Sequence, residues 1–514
     1  MHQTAHAMYE ELEGSRWTYL DRARSASRLT LPYLITEESF GPHSRIETPF
    51  QGIGARGVNN LASKLLLALL PANTPFFRLN VDKYKMSSEG TNEQAITDIE
   101  TALQRVEESV MDEISRESYR VALHECLKHL IVAGNALIYL PDEGGMRVFH
   151  LDRYVVCRDP MGNVEKIATK ETLSYMTLPE NVKQALGFQP GDNSYDNKSE
   201  VNLYTSVCRH GNKWEVFQDV NGVRIEGSEG TYDLDKCPFI ALRFSRIDGE
   251  DYGRSYIEDF LGDLQSLETL TQAIVEGSAS AAKVLFMVNP NGTTRARNLA
   301  ESPNGAIVQG TSSDVSVLQV NKFNDFRVAQ ETINTIKDRL GHAFLLTSGV
   351  IRNAERVTAA EVNMLAQELE SALGGLYSLL SSELQLPLVQ RLMVVMGKKR
   401  KLPKLPKDLV NPVIITGVEA LGRGHDLQKL DMFLAGASQV VGPEAVSQYV
   451  NIGEYFKRRA TSLGIKTTQL IKSEEELQQE RAQAQQYEMA KTAAPAGVKA
   501  VSDQLKQQPI DAEE

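Results

Sequence analysis

The stretch Tyr256–Lys283, YIEDFLGDLQSLETLTQAIVEGSASAAK, decides how the rest of the chain is read. Its apolar residues Ile257, Phe260, Leu261, Leu264, Leu267, Leu270 and Ile274 recur mostly at spacings of three and four, the period of one helix face. At about 1.5 Å per residue such a helix spans roughly 42 Å. The period changes over Val284–Val320. Val284–Val288 reads as a strand, Asn289-Pro290-Asn291-Gly292 as a turn, and Ala306–Gln309 and Val315–Val320 as further strands. Helical periodicity returns over Phe326–Leu346. The pattern predicts a small β element carried on the tips of two long helices.

Upstream, residues 1–70 read as helical, with Val58–Leu70 a short, very apolar helix that stops at Pro71. Two helices are predicted over 94–133, ending at Gly134. Short β-branched and aromatic segments follow: Ala136–Leu140, Met146–Leu151, Tyr154–Arg158, Val164–Lys170, Val201–Arg209, Trp214–Val220, Val223–Glu226 and Pro238–Ile247. Turn signals separate them, so a meandering antiparallel sheet is expected. Downstream, Thr347–Val357 breaks the helices. Thr358-Ala359-Ala360-Glu361 has capping-box spacing and opens a helix to about Met396, interrupted at Gly374-Gly375 and Pro387. A basic run, Lys398–Lys407, leads to a smaller helical region over about Gly417–Lys466. From Glu474 the chain is Gln/Glu/Ala-rich and reads as a frayed, then disordered tail.

The 514 residues amount to several domains' worth of chain. A hydrophobic share of 42% against 24% charged permits a large core. Lys and Arg total 55 against 67 Asp and Glu, a net charge of −12, which excludes a simple cationic nucleic-acid binder. Cys126, Cys157, Cys208 and Cys237 form no CxxC pair, arguing against a disulfide framework or structural zinc. No signal peptide is read at the N-terminus, and the apolar stretch Leu61–Pro71 is too short to span a bilayer. A soluble protein of the reducing cytoplasm is expected.

Enzyme motifs fail on context. Gly52-Ile53-Gly54-Ala55-Arg56-Gly57 matches G-x-G-x-x-G but follows no apolar strand, so it reads as a helix-entry loop with close backbone packing. No P-loop string occurs. His124 and His129 stand five residues apart, about 140° around a helix axis, not on one metal-binding face. No cofactor or metal is expected. The helix Tyr256–Lys283 carries Glu258, Asp259, Asp263, Glu268 and Glu276, with no base between Arg254 and Lys283. The first three acids complement a helix N-terminus; Glu268 and Glu276 do not. They are either a solvated face or an acidic surface with a purpose. Arg352 and Arg356, with Asn353 between them, lie in the loop before Thr358 and are candidate phosphate contacts, or ordinary loop residues.

Five stretches together carry a resemblance: Gln51–Pro71, Ser118–Pro141, Asp248–Leu270, Glu383–Leu392 and Ile415–Leu430. In consistent order from about residue 8 to about 470, the chain resembles the head-to-tail connector, or portal, family of T7-like short-tailed bacteriophages. The resemblance implies an α+β, helix-rich portal fold with wing, two-helix stem, small β clip insertion and helical crown. By position it implies a wing over 1–255, stem helices over 256–283 and 326–346, and a clip over 284–325. A tunnel loop would cover 347–357, a long kinked wing helix 358–400, a crown region 401–473 and a flexible tail 474–514. It implies a twelve-subunit ring at one capsid vertex, packaging and later ejecting double-stranded DNA without sequence preference.

The implied partners are the major capsid protein and scaffolding protein, the terminase large subunit, tail or adaptor proteins, internal core proteins and the DNA, with no membrane. Glu268, Glu276, Arg352, Asn353 and Arg356 become the expected channel lining, and Asn291, Arg295 and Arg297 the expected terminase and tail docking surface. No catalytic residue is expected. Twelve helices about 10 Å apart give a circle roughly 38 Å across at the axes, and removing one helix diameter of about 10 Å leaves roughly 28 Å. A duplex about 20 Å wide passes with a water gap. The alternatives are an internal virion or scaffolding protein without a channel, and a packaging ATPase or nuclease.

Overall fold

A computed structural model describes residues 3–37, 45–71, 76–81, 93–178, 182–183, 200–220, 222–281, 285–318, 323–346, 369, 371–373, 375–402, 410–414, 431–440, 442, 450, 453 and 455–456. The chain divides into two compact units, 1–417 and 418–514. The fold is α+β. In the first unit the described helices are α1 (Ala5–Leu29), α2 (Ile53–Leu69), α3 (Glu93–Arg116), α4 (Tyr119–Ala133), α5 (Leu261–Ala281), α6 (Ala296–Ala300), α7 (Phe323–Ala343), α8 (Leu376–Leu380) and α9 (Leu386–Lys398). In the second, residues 431–440 are helical, and Tyr455 Oη donates to Asp431 Oδ1 at 2.6 Å. No helix among the described residues is long and apolar enough to cross a membrane.

Eight of the nine described strands between α4 and α5 overlap the expected spans, Gly230–Asp233 was not expected, and the nine build two sheets rather than one. β2 (Asn135–Tyr139) sits between β3 (Arg147–Phe149) and β10 (Phe239–Arg243). The second sheet runs β4 (Tyr154–Arg158), β5 (Val164–Ser174), β6 (Glu200–His210), β7 (Lys213–Val220) and β8 (Val223–Arg224), with β9 (Gly230–Asp233) also on β7. Each pairing is antiparallel. The split arises because β10 returns to pair with β2, across about a hundred residues, instead of extending the hairpin series. A separate two-stranded ladder joins β1 (Phe77–Val81) to β13 (Val410–Ile414); neither strand was expected.

The apolar faces of α1 to α4, the first sheet and the docked ends of α5, α7 and α9 share one core. Charges buried there are answered. Arg391, 1% exposed, donates to the carbonyls of Leu140 at 2.8 Å and Lys236 at 3.1 Å and to Asp142 Oδ1 at 2.9 Å. Arg16 donates to Tyr9 Oη at 2.7 Å and to the Asp152 carbonyl at 2.7 Å.

The G-x-G-x-x-G segment, expected as a loop, is instead the first turn of α2, which begins at Ile53 rather than at Val58. Gly52 is its N-cap. A β-carbon on Gly54 would stand 2.6 Å from the Leu29 carbonyl oxygen, and one on Gly57 2.4 Å from the Phe344 ring. The glycines admit close neighbours, as expected. His124 Nε2 meets Ser63 Oγ at 3.2 Å, and His129 is buried against His150. The expected interruption near Pro387 takes the form of a π turn over Ser381–Gln385. Pro387 has no N–H for the carbonyl four residues back, and the wider turn absorbs the register change. Gly375, at φ +21°, precedes α8.

Candidate functional site

A two-helix arm and its tip hold most of the expected site residues. Its base is fixed by a capping box that the sequence contained in plain form. Glu258 N donates to Ser255 Oγ at 3.1 Å, and Ser255 N donates back to Glu258 Oε1 at 3.2 Å. A 3₁₀ turn over Ile257–Phe260 leads into α5. Leu264 and Leu267 are buried, and Leu270 and Ile274 pack at the core edge. Beyond Ile274 the helix carries mostly small residues, and Val275 is 49% exposed. Half of α5 is thus docked and half projects.

α7 returns antiparallel to it. Near the base Arg339 Nη2 donates to Asp263 Oδ1 at 2.8 Å. Farther out, a β-carbon on Gly277 would stand 2.7 Å from Phe326 Cζ. Asp263 and Gly277 are fourteen positions apart, about 21 Å along a helix. Ile333, Ile336, Leu340 and Phe344 are buried at spacings of three and four, while the remaining face of α7 is exposed.

The end of α7 is held by α2. Asn60 Nδ2 donates to the carbonyls of Phe344 and Leu345 at 3.0 and 3.1 Å, and Lys64 Nζ to that of Leu345 at 3.0 Å. Tyr256 Oη donates to the Ala343 carbonyl at 2.8 Å. Leu345 has φ +53°, the left-handed conformation that lets the last helix carbonyls be met by Leu345 N and Leu346 N.

At the tip, β11 (Leu285–Val288) pairs with β12 (Val315–Leu318) in antiparallel register. Ala306–Gln309, expected as a strand, is irregular, and α6 lies where no helix was expected. Asp314 knots the tip. Its Oδ2 accepts from Thr293 N at 2.9 Å, Thr293 Oγ1 at 3.2 Å, Thr294 N at 3.2 Å and Thr294 Oγ1 at 3.1 Å. Burial works against that carboxylate, but the Thr294 and Thr293 hydrogen bonds hold its pKa below the ordinary value. No sequence signal singled out Asp314, because its partners lie some twenty residues upstream.

The structure treats the expected residues unequally. Glu268 is half-buried, and its two oxygens accept the backbone N–H groups of Phe50 at 2.8 Å and Gln51 at 3.2 Å. Gln51 in turn donates Nε2 to the Leu29 carbonyl at 2.6 Å. Glu268 therefore ties α5 to the segment between α1 and α2. Glu276 is exposed and accepts from Gln272 Nε2 at 2.8 Å. With Asp263 paired to Arg339, Glu276 is the α5 acid left facing solvent without a cation or backbone amide among the described residues. Asn291, Arg295 and Arg297 are all exposed at the tip; Arg297 Nε donates to Glu301 Oε1 at 2.9 Å. Arg352, Asn353 and Arg356 lie outside the described residues, as do the Thr358–Glu361 capping box, Lys404, Lys407 and the tail.

Comparison with known proteins bears on the whole length. A family model described as bacteriophage head to tail connecting protein matches residues 2–471. The chain is 39% identical to the portal protein of Escherichia phage T7 over 98% of this chain and 97% of that protein. It is 41% identical to the portal protein of Enterobacteria phage T3 over 97% of this chain and 94% of that one. Among solved structures, a chain of the virion of a native gene transfer agent particle matches at 11% identity and a TM-score of 0.35. That match covers 80% of this chain and 90% of the other.

Proposed function

This chain belongs to the family of bacteriophage head-to-tail connecting proteins, and from that premise we propose that twelve copies close into a ring through which the genome enters and leaves the capsid. It is a portal protein, a structural component of the virion at the neck between head and tail. The single observation that carries the reading is 39–41% identity to two portal proteins along nearly the whole chain. Neither relative's name includes a catalytic activity.

In this reading the mixed region to about 255 is the wing, α5 and α7 form the stem, and the β11–β12 insertion is the clip. The tunnel loop follows at 347–357, and the region after 400 contributes the crown. Moving DNA requires weak contact blind to sequence. A basic wall would grip phosphates through counterion release, whereas an acidic one repels them over about 10 Å at 0.1 M salt. Glu276 supports this role better than Glu268, whose carboxylate already serves two backbone amides. Arg352, Asn353 and Arg356 would touch phosphates transiently. Asn291, Arg295 and Arg297 would meet the terminase first and tail proteins later.

Negative-stain images of the purified full-length protein test the ring. Twelvefold particles with a hole wide enough for a duplex support it. Filaments, monomers or particles solid at the centre favour a channel-less internal or scaffolding protein. ATP turnover by the pure protein would point to a packaging enzyme instead.

A further inference from the structure

Where β4, β6 and β10 meet the π turn and α9 lies an open pocket of about 430 Å³, within the size range of small-molecule sites. Four arginines line it, Arg158, Arg209, Arg243 and Arg246, against two acids, Asp235 and Glu383. Three of the guanidiniums converge on Gly162. Its carbonyl accepts from Arg158 Nη1 at 3.1 Å and Arg243 Nη2 at 3.4 Å. Arg246 lies so close that a β-carbon on Gly162 would stand 3.0 Å from Cζ; the glycine, at φ +83°, has none.

The charge inside is lopsided. Arg243 is 2% exposed, and Glu383, presented by the π turn, accepts from its Nε at 3.2 Å and its Nη2 at 2.5 Å. The same carboxylate stands 4.0 Å from Arg158 Nη1. Glu383 thus serves both guanidiniums, with Asp251 adding its charge to Arg158, while Arg209 and Arg246 have no bonded carboxylate among the described residues. Burial lowers the Arg158 pKa to about 10 despite Glu383, and Arg243 pushes it the same way. Donors remain as well. Among the described residues Arg243 Nη1 has no acceptor, Arg246 uses only Nη2, on the Met161 carbonyl, and Arg209 only Nε, on that of Gly211 at 3.5 Å. A guanidinium carries five N–H groups.

We propose that this cavity is a phosphate-binding site, taking pyrophosphate or the phosphate chain of a nucleotide. Three of the arginines stand on three different strands and Arg246 just beyond the third. A carboxylate offers them two oxygens in one plane, whereas a polyphosphate offers oxygens in several directions. The cavity is too large for a lone chloride and has apolar walls, Trp214 and Phe239 among them, that leave room for an organic remainder. Bound there, the ligand bridges the second sheet to α9. The site is independent of whether the stem faces DNA.

Calorimetric titration of the assembled full-length protein tests this with sodium phosphate, sodium pyrophosphate and magnesium-free ATP, each against sodium chloride at equal ionic strength. Saturable binding of pyrophosphate or ATP, weakened at least tenfold in the Arg209→Gln/Arg246→Gln double variant, supports the site. The stronger of the two ligands identifies the source. Both arginines are exposed, so the variant should keep its melting temperature. If it does not assemble, Arg209→Gln alone, which gives up one 3.5 Å hydrogen bond, replaces it with an expected weakening of at least threefold. No binding beyond the chloride control, or equal affinity in the variant, overturns the proposal.

Discussion

Glu268 on α5 accepts the backbone N–H of Phe50, 218 residues away in sequence, at 2.8 Å. The bond, with its companion at Gln51, converts an apparent surface acid into a joint between α5 and the opening of α2. Glu268→Lys leaves two amides facing a cation. The expected loss is about 1–3 kcal/mol, the cost of a partly buried polar group without its partner. Thermal denaturation of the purified protein checks it, with an unchanged melting temperature as the contrary result.

Glu276→Lys isolates the electrostatic question. Glu276 is exposed and, among the described residues, bonded only to Gln272 on its own helix, so stability should change by less than about 0.5 kcal/mol. In the proposed ring of twelve, with Glu276 facing the channel, the reversal would replace twelve repelling groups with twelve attracting ones. Packaging rate should fall and its salt dependence steepen, because each cation now displaces counterions from the duplex. Equal packaging rates for both proteins across 50–200 mM salt would remove acid repulsion from the mechanism.

Elements whose partners are near in sequence were the legible ones. The hairpins from β4 to β7 announce themselves through alternation and through turns such as Asp159–Asn163, where Gly162 N donates to the Asp159 carbonyl. β1 and β13 were missed because Phe77 pairs with Ile414, and Pro412 argues against a strand when read alone. Ala306–Gln309 departs from expectation for the opposite reason: its β-branched residues promise a strand, but no neighbour among the described residues supplies a ladder, and Ile307 is fully exposed. Ser255-x-x-Glu258 has the spacing of a capping box, and the structure forms it. The role of Glu268 was not legible, since backbone amides leave no mark on a sequence.

Asp314 is expected to behave as the fastener of the tip. Asp314→Ala should raise amide hydrogen exchange across 285–318 at least tenfold and leave α1 and α4 unchanged. The same loss should follow from acid. The folded carboxyl lies below its ordinary value of 3.8, so the stabilisation is present above that pH and disappears as pH falls through the folded value. Exchange that is equally fast in both proteins at pH 7 would show that the β11–β12 pairing suffices alone.

Gly57 should resist substitution even though its helix is otherwise well suited to alanine. In Gly57→Ala the new methyl meets three atoms of Phe344 within 2.9 Å. Phe344 cannot retreat freely, because it is fully buried and its ring lies against Tyr256 and Phe260. Overpacking of this kind costs about 1–3 kcal/mol, which outweighs the gain in helix propensity of roughly 1 kcal/mol. Chemical denaturation should therefore show a net loss, and a more stable variant would mean the α2–α7 contact yields.

The pair His129 and His150 should make the protein acid-sensitive well above the carboxylate range. Their rings stack at 6.1 Å, and each Nδ1 is buried without a hydrogen-bond partner among the described residues. Burial lowers the pKa of His129 to about 3, with His150 and Lys128 adding to it, and that of His150 to about 4, with Arg153 and Arg16 adding. Unfolded, both return to about 6.5. The folded state thus binds fewer protons than the unfolded state throughout the interval. Stability is full above pH 6.5 and falls below it by up to about 1.4 kcal/mol per pH unit for each histidine, levelling off only near pH 4 and pH 3. Phenylalanine at 129, which keeps the ring packing and cannot titrate, should remove about half of that slope between pH 6 and 5 in denaturant titrations. A slope unaltered by His129→Phe would assign the acid response to other groups.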